Sequence, residues 1–243
     1  MDIKISGSGV IASGEYDAIK ISGSARLEGF VRCNELHCSG SCSGENIACN
    51  GNIKISGSGG FCGDLRSKTV AVSGSFSCDG NIAVSESIKC SGSAHCGKNI
   101  KCNSMSASGR VSVHGDVEAE ILKVSGVINC DGLINAEDID IRFRRGMRIG
   151  SIGGSKIVIC RDDSFENKSF RLPLLSFFIG SSGDSVTVGG DIEGDNVALE
   201  GVRAKCVSGR VVAIGDGCEI DLVRYADEIE ISPNAKVAKT EKV

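Results

Sequence analysis

Thirteen cysteines and three histidines are the residues of this chain best equipped to hold a metal or act as nucleophiles, so their spacing comes first. Cys90, Cys96 and Cys102, with His95 beside them, form the best metal-ligand set in the sequence. In a strand, however, neighbouring side chains point to opposite faces, so His95 is expected to face away from Cys96. His37 next to Cys38 fails for the same reason, and His114 stands alone, which leaves all three histidines as surface residues. No C-x-x-C pair occurs, which removes the commonest zinc and redox spacing, and an odd cysteine count does not complete a disulfide framework. The reading is no metal site, with the cysteines serving as small buried hydrophobes.

Two stretches imitate phosphate-binding loops. Gly92-Ser93-Ala94-His95-Cys96-Gly97-Lys98-Asn99 is one residue short of the P-loop pattern and carries Asn99 where a magnesium-binding hydroxyl belongs. Gly7-Ser8-Gly9-Val10-Ile11-Ala12 resembles a dinucleotide fingerprint. Both chemistries need a helix N-terminus to receive the phosphate, and both stretches run on into strand-like sequence instead. No cofactor and no catalytic residue is expected. The formal net charge of −4 offers no basic face for nucleic acid.

The elements that position these residues come from a repeat. Ile53-Lys54-Ile55-Ser56-Gly57-Ser58-Gly59 is written again from Ile3, Ile19, Leu36, Val70 and Ile88, and more weakly from Met105 and Leu122. The successive starts lie 16, 17, 17, 17, 18, 17 and 17 residues apart. Within each copy apolar residues alternate, which is the period of a strand with one face inward, and Ser-Gly, Asn-Gly or Asp-Gly separates the runs. One copy therefore makes three short strands and three corners, with glycine expected to supply the positive φ of each corner. Such a unit buries its apolar face only by stacking on its neighbours. The fold class expected is all-β, a right-handed parallel β-helix of about 17 residues per coil. Ile5, Ile21, Cys38, Ile55 and Val72 should form an inward column, with Cys90 in the same phase, while Cys62 falls out of phase. A narrow bore also explains the absence of Trp and an aromatic content of 4%.

The main coil array is expected to span residues 1–141. A basic and hydrophobic insertion follows over 142–185, beginning at Arg142-Phe143-Arg144-Arg145 and holding the most hydrophobic stretch of the chain, Phe170 to Ile179. At ten residues that stretch is too short to span a bilayer. It is expected to pack on the coils; docking a partner or another subunit, or lying in a membrane surface beside the arginines, are the alternatives, with Arg144, Arg145, Leu174, Leu175, Phe177 and Phe178 as the contact residues. Coils are expected again over 186–231, with a polar, frayed tail over 232–243. Nothing at the N-terminus reads as a signal peptide, and the protein is expected to be soluble and cytoplasmic, with membrane association only through the insertion.

Ala204-Lys205-Cys206-Val207-Ser208-Gly209-Arg210-Val211-Val212-Ala213-Ile214-Gly215-Asp216-Gly217-Cys218-Glu219-Ile220-Asp221-Leu222-Val223-Arg224-Tyr225 resembles the corresponding end of bactofilin-type proteins, and the Ser-Gly coils and basic interruption before it resemble one branch of that family. The resemblance implies a β-helix that polymerises end to end, without nucleotide, into non-polar filaments that scaffold cell shape, envelope or motility functions. The implied partner is the protein itself, with other scaffold or envelope-associated proteins beside it. Physics agrees, because the open face of an end coil carries unpaired backbone groups that template another strand. Ile3, Ile5 and Ile11 at one end and Ile220, Leu222 and Ile229 at the other are the self-association residues expected. The alternative function is a β-helix enzyme, an acyltransferase or a polysaccharide lyase. The first would show a six-residue apolar period and a catalytic His in a loop; the second would gather carboxylates and Arg on one coil face. A calcium- or ice-binding solenoid would need repeated Asp units or Thr ranks.

Overall fold

The alternation within each repeat becomes the pleat of a strand, and the repeat length becomes the register between strands. The computed structural model describes residues 1–162 and 184–243, which divide into two units, Met1–Ala119 and Glu120–Val243. Both are parallel β-solenoids, and no α-helix occurs among the described residues.

In Met1–Ala119 every coil has three sides. Ile3, Ile19, Leu36, Ile53, Val70, Ile88 and Met105 are register partners in turn, and two residues further on so are Ile5, Ile21, Cys38, Ile55, Val72, Cys90 and Ala107. This is the expected inward column. A second side stacks Ile11 on Leu27, and further along Phe61, Cys78, Cys96 and Val113. Leu36, Ile53, Ile55 and Cys78 are fully buried. Each wholly buried aliphatic side chain contributes about 1.5–3 kcal/mol, and the backbone ladder is satisfied between coils about 4.8 Å apart.

The corners work differently from the expectation. Among the described residues positive φ occurs at Gly14, Gly29, Gly201 and Gly217; Gly217 supplies it after Asp216 as expected, but none of the four is the Ser-Gly glycine that closes each Ile-Lys-Ile-type run. The corner glycines are required by axial clearance: a Cβ on Gly23, Gly40, Gly57, Gly74 or Gly92 would lie 2.0 Å from the carbonyl oxygen of the glycine one coil earlier. At another corner an amide ladder does the pinning. Asn46 Oδ1 accepts from the Asp64 N–H at 2.8 Å, Asp64 Oδ1 from the Asn81 N–H at 2.8 Å, and Asn99 Oδ1 from the Asp116 N–H at 2.8 Å. The Asn81 backbone N–H holds the Asp64 carboxyl below the usual range.

In Glu120–Val243 the expected stop at Arg142 is not found. The strand Val127–Phe143 pairs in parallel with Met147–Arg161, which pairs in turn with Asp191–Leu199. Phe143 points inward beneath the Arg161 guanidinium, 5.9 Å from its ring, while Arg142 points outward to Asp140 at 3.2 Å. The basic cluster is thus the outward half of an ordinary alternation, and the segment between Arg144 and Gly146 is a corner. Residues 163–183 lie outside the described residues, and with them Phe170 to Ile179. The tail also departs from expectation. Lys236–Lys242 is a strand paired with Glu219–Tyr225, because backbone ladder bonds and ion pairs from Lys236 to Glu219 (2.9 Å) and Arg224 to Glu241 (3.2 Å) hold a polar sequence in register.

Candidate self-association surfaces

The first coil presents strands Ile3–Ile5 and Ser8–Ile11, each with one neighbouring strand among the described residues. The consequence shows in the side chains. Ile3 and Ile5 are half-buried, whereas their partners Ile19 and Ile21 are sealed, and Val10 is 61% exposed. Ile11 faces the bore and is buried. This edge combines unpaired backbone groups with apolar side chains, the combination that recruits another strand.

The opposite set is only partly at an edge. Ile220 lies between Ala204 and Val237, and Leu222 between Cys206 and Lys239, so the strand Lys236–Lys242 covers both. Ile229 keeps a single neighbour, Val212, since that covering strand reaches no further than Tyr225; it is half-buried. The covering strand carries Lys236, Lys239, Glu241 and Lys242, with Lys239 and Glu241 paired at 2.5 Å, and charged edge strands discourage pairing. Polar composition concealed this strand; the half-buried Ala235 and Val237 on either side of Lys236 were the available signal.

Arg144 and Arg145 are exposed, and Arg144 Nε reaches Asp162 Oδ2 at 2.5 Å. Leu174, Leu175, Phe177 and Phe178 lie outside the described residues.

The thiols are placed for packing. Eleven of the thirteen cysteines are buried, Cys206 is half-buried and Cys62 is exposed. Burial pushes Cys78, Cys102, Cys160 and Cys218 up to about 12, so thiolate, the reactive form, is suppressed there. Cys33 and Cys49 are register partners, and their contact raises the first thiol and lowers the second, to about 7. Cys90, Cys96 and Cys102 face the bore while His95 faces outward, and no group of three His, Cys, Asp or Glu among the described residues is arranged to hold a metal. His114 does not stand alone: its ring meets that of His95 edge-on, centroids 5.0 Å apart. The P-loop imitation is a strand, Ser93–Cys96, followed by a corner.

One polar cluster was not foreseen. Asp216, which is buried, accepts hydrogen bonds from the Ser232 hydroxyl and, at 3.1 Å, from Asn234 Nδ2, and Ser232 Oγ accepts the Asn234 N–H at 3.1 Å. Glu200 is fully buried and accepts the Arg161 N–H at 3.4 Å. These groups pin corners, as the amides do in the other unit.

Comparison with known proteins agrees with this geometry. Residues 20–118 match the family model Bactofilin, described as polymer-forming cytoskeletal. The uncharacterized protein YhbF of Bacillus subtilis (strain 168) is 29% identical over 114 residues, covering 46% of this chain and 42% of that protein. The alignment thus spans less than half the length of that relative. No solved structure matches. The family match falls on the N-terminal coils, whereas the run from Ala204 to Tyr225 that suggested the family lies outside it. No helix among the described residues is long and apolar enough to cross a membrane. Over residues 20–118 the chain is thus similar to the bactofilin family, whose model is described as polymer-forming cytoskeletal.

Proposed function

We propose that the protein self-assembles end to end, without nucleotide, into non-polar cytoskeletal filaments that scaffold cell shape, envelope or motility functions in the cytoplasm. The observation that carries this reading is the half-exposed Ile3 and Ile5 on a strand with one neighbour, against the sealed Ile19 and Ile21 one coil on. A second copy meeting this edge would extend the ladder and bury both isoleucines, each worth about 1–2 kcal/mol. Joining like ends gives a filament without polarity. The charged strand Lys236–Lys242 leaves the other end to join by ion pairs and by the uncovered stretch around Ile229. Contact with an envelope protein or anionic membrane through Arg144, Arg145 and residues 170–179 is a further part of the proposal, supported by the exposure of the two arginines.

The test is negative-stain microscopy and sedimentation of the purified chain without nucleotide. Filaments and large species are expected, and Ile3→Glu with Ile5→Glu should yield a folded, small species. A monomeric profile across salt and concentration overturns the reading.

A further inference from the structure

One outward column of Met1–Ala119 has a pattern that neither the coil repeat nor the end surfaces require. Glu15, Arg32, Ala48, Arg66, Ala83, Lys101 and Glu118 are register partners in turn, all on the outer face of successive coils. Large cationic residues alternate with alanine, so cations stand about 9.6 Å apart, two coil spacings, with a hollow between each pair. The hollows are measurable. A cleft of about 760 Å³ opens over Ala48 and includes Arg32, Asn34, Asn50, Asp64 and Arg66 in its lining. Another of about 490 Å³ opens over Ala83, between Arg66 and Lys101. The outer cations are already neutralised, Arg32 by Glu15 at 3.2 Å and Lys101 by Glu118 at 2.6 Å. Arg66, at the centre, lies near Asp64 and closes no ion pair among the described residues.

The charge order along the column reads −, +, 0, +, 0, +, −, the same in both directions. A second copy laid antiparallel on this face in symmetric register would set Arg66 against Arg66, which is repulsive. Displaced by one coil, the faces interlock. Arg66 of each copy enters the cleft over Ala48 of the other, where Asp64 and the amide oxygens of Asn34 and Asn50 can receive a guanidinium. In the same register Arg32 enters the hollow over Ala83, and Lys101 of each copy meets Glu15 of the other. Displacement the other way puts Lys101 over Ala48 and Arg66 over Ala83, so the cleft that holds Asp64 and the amides receives a compact ammonium in place of the planar guanidinium whose donors match them.

We propose that this face pairs two copies of the chain side by side, antiparallel and one coil out of register, with Arg66 as the central knob. The contact is independent of the end surfaces, because it uses the flank of the coils and not their open edges. A column about 24 Å long and two outward residues wide buries less than the roughly 800 Å² per partner of a standard interface. Pairing of single copies is therefore weak and salt-sensitive, and it strengthens when copies are joined in a row.

Two preparations separate this proposal from end-to-end growth. The full chain with Ile3→Glu and Ile5→Glu is sedimented at increasing concentration in low salt, and the chain with native ends is imaged by negative stain. Concentration-dependent dimers in the first and doublets of filaments in the second are expected, both dispersed by about 0.5 M salt. Adding Ala48→Arg and Ala83→Arg fills both hollows at surface positions. It should leave the circular dichroism and melting curve unchanged and lower the paired fraction at least about tenfold, as should Arg66→Glu. Arg66→Lys should retain pairing in part. Single filaments without doublets, with the end-blocked chain monomeric throughout, overturn the lateral contact and leave end-to-end growth standing. Dimers of the end-blocked chain without filaments from the native one do the reverse. Dimers or doublets that survive Ala48→Arg with Ala83→Arg overturn the assignment of this face.

Discussion

Met1–Ala119 and Glu120–Val243 build the same kind of coil by different means. In the first, successive partners lie 16 to 18 residues apart, from Ile3 to Ile19 and from Val70 to Ile88, and a glycine column sets the closest approach of the corners. In the second, some partners lie 15 residues apart, as Leu199 and Ile214 do, and others 19, as Cys130 and Ile149 do, and buried polar groups around Glu200, Asp216 and Ser232 pin the corners. A column of glycines fixes the residue type at the corner, because any Cβ meets a carbonyl, and spacing along it stays between 16 and 18. A hydrogen-bonded corner tolerates more, because side chains can reach. Regularity in the sequence therefore reflects which device closes the corner.

The comparison is sharpest at the coil edges. Ile220→Glu would bury a carboxylate between Ala204 and Val237 and should cost about 4 kcal/mol by urea denaturation. Ile3→Glu sits on the open edge and should cost under about 1 kcal/mol while reducing the size of the sedimenting species. Equal costs would show that the first coil is covered in solution.

Next is the glycine column. Gly57→Ala places a methyl 2.0 Å from the Gly40 oxygen and should cost about 3 kcal/mol, whereas Gly7→Ala, with nothing within 4 Å, should be close to neutral. Similar melting temperatures for the two variants would remove axial clearance as the reason for glycine.

A smaller effect separates the two corner devices. Asp216→Ala strands the buried Ser232 hydroxyl, besides releasing the exposed Asn234 amide, and should cost about 2 kcal/mol; Asn99→Ala removes one rung of an exposed ladder and should cost about 1 kcal/mol. Calorimetry of both variants checks the order.

The smallest effect is acid sensitivity of the last strand. Glu219 is held below its ordinary value of 4.5 chiefly by the Lys236 hydrogen bond, and Glu241 likewise by Lys239. A depressed carboxylate contributes stability above its unfolded value and loses it as pH falls through the folded one. Amide exchange in Lys236–Lys242 should therefore accelerate as pH drops below about 4.5, corrected for intrinsic rates, before the strands of the glycine column respond. Both side chains are exposed, so the change is modest.

Much of this was legible in residue order. Ile5, Ile21, Cys38, Ile55 and Val72 form their column because a 17-residue repeat with period-two alternation has one way to bury its apolar side. The burial of Cys38, Cys90 and Cys96, and the exposure of Cys62, followed from phase alone. Of the candidate end residues, Ile3 and Ile5 lie on a strand with one neighbour among the described residues, whereas Ile220 and Leu222 lie beneath the strand Lys236–Lys242, which polar composition concealed. The run from Arg142 to Met147 was misjudged because its charges drew more weight than the inward Phe143 and Met147 between them.

Alternation and repeat length, properties of the chain read one residue at a time, determined the coil, its inward column and the role of the thiols. What the tertiary structure decided concerns neighbours one coil away. Why the corners need glycine, which strand covers which, and how Arg32, Ala48, Arg66 and Ala83 come to share one face all depend on register between coils. Register is set by the summed packing of whole turns about 4.8 Å apart, and an insertion or a single added residue shifts it without changing any local pattern.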